Sequence, residues 1–97
     1  MSILVLLEIH AKEGKGDEMI AILARSLHDT RARQGCEGVT VHREQDHPDT
    51  VLLVERWATR ADDDAYRAWR AGDGAVPEMA RLVAGGRVVR YFDDVDA

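Results

Sequence analysis

Residues 35–57, GCEGVTVHREQDHPDTVLLVERW, constrain the fold more than any other stretch. Val39, Val41 and Arg43 alternate with Thr40, His42 and Glu44, HPDT follows, and VLLVERW runs on. Runs of high strand propensity on either side of a turn signal predict an antiparallel hairpin. Pro48 presets φ at the first central turn position, and Asp49 suits the second by bonding its own backbone. With His47 facing Thr50, the register sets His42 opposite Glu55 and Thr40 opposite Trp57. One face then carries His42, Glu55 and Trp57 together. Side chains alternate with period two, so that grouping depends wholly on the register.

The hairpin needs partners, and the flanking segments supply them. Ile3 to Ala11 begins with five consecutive apolar residues, the pattern of a central strand, with Glu8 and His10 sharing one face at its far end. From Asp17 to Gln34, Met19, Ile20, Leu23 and Leu27 recur at helical spacing; Asp17 is placed to cap this helix, Arg31 and Arg33 suit its last turns, and Gly35 can supply the left-handed stop. His28 falls on its polar side. Thr59-Arg60-Ala61-Asp62 opens a second helix as a capping box, and the acidic triplet Asp62–Asp64 suits the positive helix end. Ala61, Ala65 and Ala68 with Tyr66 and Trp69 are its expected inward stripe. Pro77 starts a short third helix, and RVVRYFDDV closes the chain as a strand. The order is strand, helix, strand, strand, helix, strand, which predicts an α+β, ferredoxin-like βαββαβ domain over residues 1–97, with helices on one sheet face.

Ninety-seven residues form a modest core, so a second subunit over the apolar second face would add burial that the chain lacks, and a homodimer is expected. A net charge of -5 without a Lys/Arg cluster argues against nucleic acid or an anionic membrane as partner. The apolar run at the N-terminus is too short to span a bilayer and lacks a basic flank. One cysteine, Cys36, excludes an intrachain disulfide and fits the cytoplasm; it reads as a small buried residue. The four histidines show no metal-ligand spacing, and no phosphate-binding glycine loop or Ser/His/Asp motif is present, so no metal or cofactor is expected.

KEGKGDEM before the first helix, the hairpin GCEGVTVHREQDHPDTVLLVERWATRAD and the closing RVVRYF together resemble the antibiotic biosynthesis monooxygenase family of dimeric α/β-barrel proteins, over nearly the whole chain. The resemblance implies a homodimer whose sheets form a barrel, with a small-molecule pocket between sheet and helices in each subunit. It implies activities ranging from oxidation of anthrones or quinols by molecular oxygen, without metal or flavin, to haem degradation and isomerisation of small metabolites. Where family members often carry a His on the second helix, this chain has Tyr66. The haem-degrading branch uses an Asn, a Trp and a His where this chain has Leu7, Tyr66 and the apolar segment around Val76, which disfavours haem degradation.

The chemistry expected from these readings is cofactor-independent oxygenation of a small aromatic quinol, anthrone or polyketide-type substrate. Such a substrate, once deprotonated, can itself reduce oxygen, so the protein needs a base, a shaped apolar pocket and exclusion of water. His42 is the expected base, oriented by Glu55, with the Tyr66 hydroxyl on a substrate carbonyl. Trp57, Tyr66 and Trp69 would bracket the ring, and His10 is the reserve base. The alternatives are a dimeric small-molecule binding protein, in which His42 and Glu55 form only a structural cross-strand pair, or an isomerase or lyase using His42 or His10 for proton transfer.

Overall fold

The computed structural model describes residues 2–97 and has the expected element order, the short third helix included. The elements are β1 (Ile3–His10), α1 (Gly16–Ala32), β2 (Cys36–Arg43), β3 (Thr50–Trp57), α2 (Arg60–Ala71), the short α3 (Pro77–Leu82) and β4 (Val88–Asp93). The antiparallel sheet runs β2-β3-β1-β4, the ferredoxin-like order. The continuous apolar run of β1 is thereby explained, since β1 is central and pairs with both β3 and β4.

All three helices lie on one face. Toward them β1 presents Val5, Leu7 and Ile9, β3 presents Val51, Leu53, Glu55 and Trp57, and β2 presents Val39, all buried. Leu7, Ile9, Val51 and Leu53 pack with Met19, Ile22, Leu23 and Leu27 of α1 in the larger core, and Val5, Trp57 and Tyr66 form a second cluster under α2. The opposite face carries Leu4, Leu6, Leu52, Val54 and Phe92, all half-buried, and no other element among the described residues covers them.

The hairpin register differs from the one read from the turn. The turn itself exists, with the Thr50 amide donating to the His47 carbonyl at 2.9 Å. The ladder, however, closes at Glu44, whose amide donates to the Thr50 carbonyl at 3.0 Å, so Gln45 and Asp46 join the loop instead of pairing. His42 therefore sits opposite Leu52 rather than Glu55, and Cys36 rather than Thr40 sits opposite Trp57. From Arg43 to Gly38 the displacement is three residues, an odd number, so His42 passes to the other face from Glu55, and a bulge between Gly38 and Cys36 adds a fourth at Trp57. Asp49 explains why the loop is wider. Its carboxylate does not bond its own turn but accepts from the Gly14 and Gly16 amides, both at 2.9 Å, and its carbonyl accepts from Ala11. Asp49 thus caps α1 from across the chain, the task expected of Asp17, which instead pairs with Arg43 at 2.7 Å. A β-carbon on Gly16 would lie 2.5 Å from the Pro48 carbonyl oxygen, so only glycine lets the loop close on the helix.

The end of α1 also departs from expectation. The chain after α1 leaves the helix at Arg33, which is extended and lays its guanidinium 4.4 Å from the Trp69 ring centroid instead of serving the helix terminus. Gly35 then takes φ +84° as expected, and Thr59 caps α2 by accepting from the Asp62 amide at 3.1 Å. After α3, Val83 bridges to Ala11 and Ala84 donates to the His10 carbonyl, which joins this segment to the end of β1 before Gly85 (φ +71°) turns the chain toward β4.

Candidate functional site

The inward face of α2 is polar. Ala61, Ala65 and Ala68, expected to face the sheet, are exposed; Tyr66 faces inward as expected, and Asp63, Arg67 and Arg70 turn inward beside it. These four recur at intervals of three and four residues and so share one helix face. Asp63 is therefore more than part of an acidic N-terminus. Its residue is fully buried, and its Oδ2 accepts from the Tyr91 hydroxyl at 2.8 Å.

Opposite this stripe, β3 supplies Glu55, 1% exposed. A buried carboxylate is tolerable only when its charge is matched and its oxygens are bonded. Both conditions converge on Oε1, which accepts from Trp57 Nε1 at 2.9 Å and from Arg67 Nη2 at 2.7 Å. Arg67 Nη2 also lies 3.0 Å from Asp63 Oδ1, close enough for ion pairing, although that oxygen receives no aligned hydrogen bond and Arg67 Nε has no partner. Burial pushes the Arg67 guanidinium down, but Glu55, Asp63 and Tyr66 together push it further up, so Arg67 is a fixed cation between two carboxylates. Burial, then the hydrogen bond to Asp63, holds the Tyr91 hydroxyl above its ordinary range.

Tyr66 lies next to this group with its ring centroid 5.0 Å from that of Trp57. Its hydroxyl is 2.7 Å from Thr30 Oγ1 and accepts from Arg70 Nε at 2.9 Å. Arg70 also donates from Nη1 to the Gly74 carbonyl at 3.0 Å, and from Nη2 to the Ser26 carbonyl at 2.7 Å and to Thr30 Oγ1 at 3.0 Å. It ties α2 to α1 at one point.

Between these elements lies a cavity of about 480 Å³. Glu55, Tyr66, Arg67, Arg70 and Ser26 form its polar wall, and Leu7, Ile9, Leu53, Val76, Met79 and Val83 contribute to its apolar wall, with Gly85, Gly86 and Arg87 alongside. Its size and mixed lining suit a small organic molecule. The structure brings two of the six candidate site residues, Glu55 and Tyr66, to this cavity. Trp57 is fully buried behind Glu55, and Trp69 packs beside Tyr66 with a centroid separation of 6.2 Å, outside the lining.

His42 and His10 are on the other face of the sheet. His42 Nε2 is 2.8 Å from Thr40 Oγ1 on the exposed end of β2, so the trio of His42, Glu55 and Trp57 does not form. His10 bridges Glu8 Oε2 (2.8 Å from Nε2) and Thr50 Oγ1 (3.0 Å from Nδ1). Asp63, Arg67 and Arg70 were not anticipated as site residues, yet their spacing with Tyr66 marks them. Cys36 is half-buried, and burial raises its thiol pKa, which keeps it protonated at neutral pH.

Residues 2–77 match the family model for antibiotic biosynthesis monooxygenases. The chain belongs to the antibiotic biosynthesis monooxygenase family. Solved structures agree with this family's fold. A protein from Shewanella oneidensis is 28% identical, with a TM-score of 0.77 over 94% of this chain and 88% of its own. A crystallised antibiotic biosynthesis monooxygenase gives a TM-score of 0.83 at 20% identity, covering 97% of this chain and 99% of its own. A protein from Mycobacterium tuberculosis gives 0.78 at 19% identity, covering 100% and 98%. No curated protein sequence matches the chain. In this member of the family the match ends at Pro77, so Met79, Val83 and Arg87 of the cavity lie beyond the matched segment. No helix among the described residues is long and apolar enough to cross a membrane.

Proposed function

We propose that this protein is a cofactor-independent monooxygenase acting on a small electron-rich aromatic substrate of the quinol or anthrone type, with Glu55 in place of His42 as the base. The observation that supports this most directly is the buried Glu55 carboxylate in the wall of a largely apolar cavity, with both of its contacts on Oε1. Oε2 is then the oxygen left to take a substrate proton, and the Trp57 and Arg67 donors hold the carboxylate in one orientation.

With an anthrone, Glu55 takes a proton from the ring methylene, and the resulting carbanion gives one electron to dioxygen. Recombination of the substrate radical with superoxide forms the C–O bond, and protonation gives a hydroperoxide. Cleavage of the O–O bond with loss of the remaining C–H proton yields a carbonyl and water. One oxygen atom enters the product and the other leaves as water. The apolar wall excludes bulk water from the anion, and Tyr66, held by Thr30 and Arg70, borders the same space.

The open sheet face, with Leu4, Leu6, Leu52, Val54 and Phe92, supports a homodimer in which two sheets pack face to face. We place the protein in the cytoplasm on the strength of its single cysteine. Oxygen uptake by metal-free, flavin-free protein with an anthrone and a naphthohydroquinone tests the oxygenase. Uptake above the spontaneous rate is expected, falling by about 10²-fold or more in Glu55→Gln. Saturable binding of these compounds with no uptake would replace the oxygenase by the second reading, a small-molecule binding protein, which the same cavity supports. Light scattering at micromolar protein should give twice the chain mass; a monomer would refute the dimer.

A further inference from the structure

We infer that the cavity takes a ligand bearing a carboxylate on an apolar, aromatic-sized body, with Arg70 and Arg87 as the residues that select the anion. The inference rests on the same reading of the cavity as the oxygenase proposal and narrows its substrate class.

The chain carries -5 overall, yet the charged residues lining the cavity are three arginines and one glutamate. Arg67 is accounted for, since it stands between Glu55 and Asp63. Arg70 is different. Its four hydrogen bonds go to the Ser26 carbonyl, the Thr30 hydroxyl, the Tyr66 hydroxyl and the Gly74 carbonyl, all uncharged acceptors. No carboxylate among the described residues pairs with it, although it is half-buried.

Partly desolvating a cation without a counter-ion is costly; the Trp69 and Tyr66 ring centroids, 4.6 and 5.4 Å from the Arg70 guanidinium, offset part of that cost and the neutral acceptors fix its position, but none of them supplies a negative charge. A guanidinium has five N–H groups, so one on Nη1 is left unclaimed. Arg87, on the loop that follows the Gly85 turn, lines the same cavity, is exposed, and likewise has no ion-pair partner among the described residues. Two cations without partners on one small cavity, reached from α2 and from the loop before β4, match an anionic oxygen pair. A planar carboxylate suits the fork of Arg87 better than a single phenolic oxygen does, and the one open N–H of Arg70 can add a single bond to it. Leu7, Ile9, Leu53, Val76, Met79 and Val83 offer apolar contact to the rest of the molecule.

The discriminating pair of probes is 2-naphthoate and 2-naphthamide, which share a ring and differ in charge. Binding to the full chain is measured by calorimetry at neutral pH. Naphthoate should bind at least about tenfold more tightly, and Arg87→Gln and Arg70→Gln should each bring the two affinities together. Added salt should weaken naphthoate and leave naphthamide nearly unchanged. Equal affinities, tighter binding of the amide, or no naphthoate binding would overturn the inference. So would an unchanged preference in Arg87→Gln, which alters an exposed side chain and remains decisive even if Arg70→Gln does not fold. Oxygen uptake separates the two ideas. Naphthoate selectivity without uptake from any quinol leaves the anion site standing and removes the oxygenase; uptake without selectivity does the reverse.

Discussion

Replacing Arg67 by Met tests the arrangement at the centre of the site. Arg67 Nη2 lies 2.7 Å from Glu55 Oε1, a pair worth ~6 kcal/mol of Coulomb attraction at an effective dielectric of ~20. Its 3.0 Å approach to Asp63 gives ~5.5 kcal/mol on the same footing. Desolvation cancels much of this, because the Arg67 side chain is only 21% exposed and its carboxylate partners are 1% and 0% exposed. What remains is the cost of leaving buried carboxylates uncompensated, about 3–5 kcal/mol for a broken buried pair. That is a large share of the ~5–15 kcal/mol that holds a typical domain together.

Adding Glu55→Gln to Arg67→Met should restore part of the loss, because it removes one of the two buried carboxylates left without a cation. Urea unfolding of the single and double variants measures both effects. A loss below about 1 kcal/mol, the ceiling for an exposed pair, would overturn this account of the site. A loss that Glu55→Gln leaves unchanged would do the same.

Asp49→Ala removes the acceptor from the Gly14 and Gly16 amides and should cost about 1–2 kcal/mol in urea unfolding, with faster hydrogen exchange in the first turn of α1. Gly16→Ala should cost about 1–3 kcal/mol, because its new methyl would meet the Pro48 carbonyl and the Asp49 carboxylate and something must move. The raised Tyr91 pKa stabilises the fold fully below the unfolded value of about 10 and loses that contribution as pH rises through the folded value. Thermal unfolding above pH 10 should therefore fall more steeply in the wild type than in Tyr91→Phe; parallel curves would exclude the buried hydroxyl as the cause.

The element order and the family were legible because they rest on long periodic segments: the apolar run of β1, the helical spacing through Leu27, and the two runs flanking HPDT. The register was not, because it depended on which partner Asp49 chose. A turn Asp can bond its own backbone or reach another chain segment, and local sequence does not distinguish the two. Here it reaches the amides of Gly14 and Gly16, the loop widens, and His42 passes to the face away from Glu55.

The polar face of α2 was hidden for a different reason. A helix rich in Asp and Arg with scattered alanines reads as solvated on its charged side, and hydrophobic periodicity then assigns the alanines inward. That inference fails when the sheet beneath the helix carries a buried acid. Glu55 needs a cation, Arg67 provides it, Asp63 and Tyr66 follow on the same face, and Arg70 extends the stripe to α1. The alanines face outward because the polar residues have partners inside. An acidic residue in the middle of an apolar strand is therefore the signal to look for a charged stripe on the covering helix. In this chain that signal, Glu55 within VLLVERW, marks the cavity more reliably than any of the four histidines.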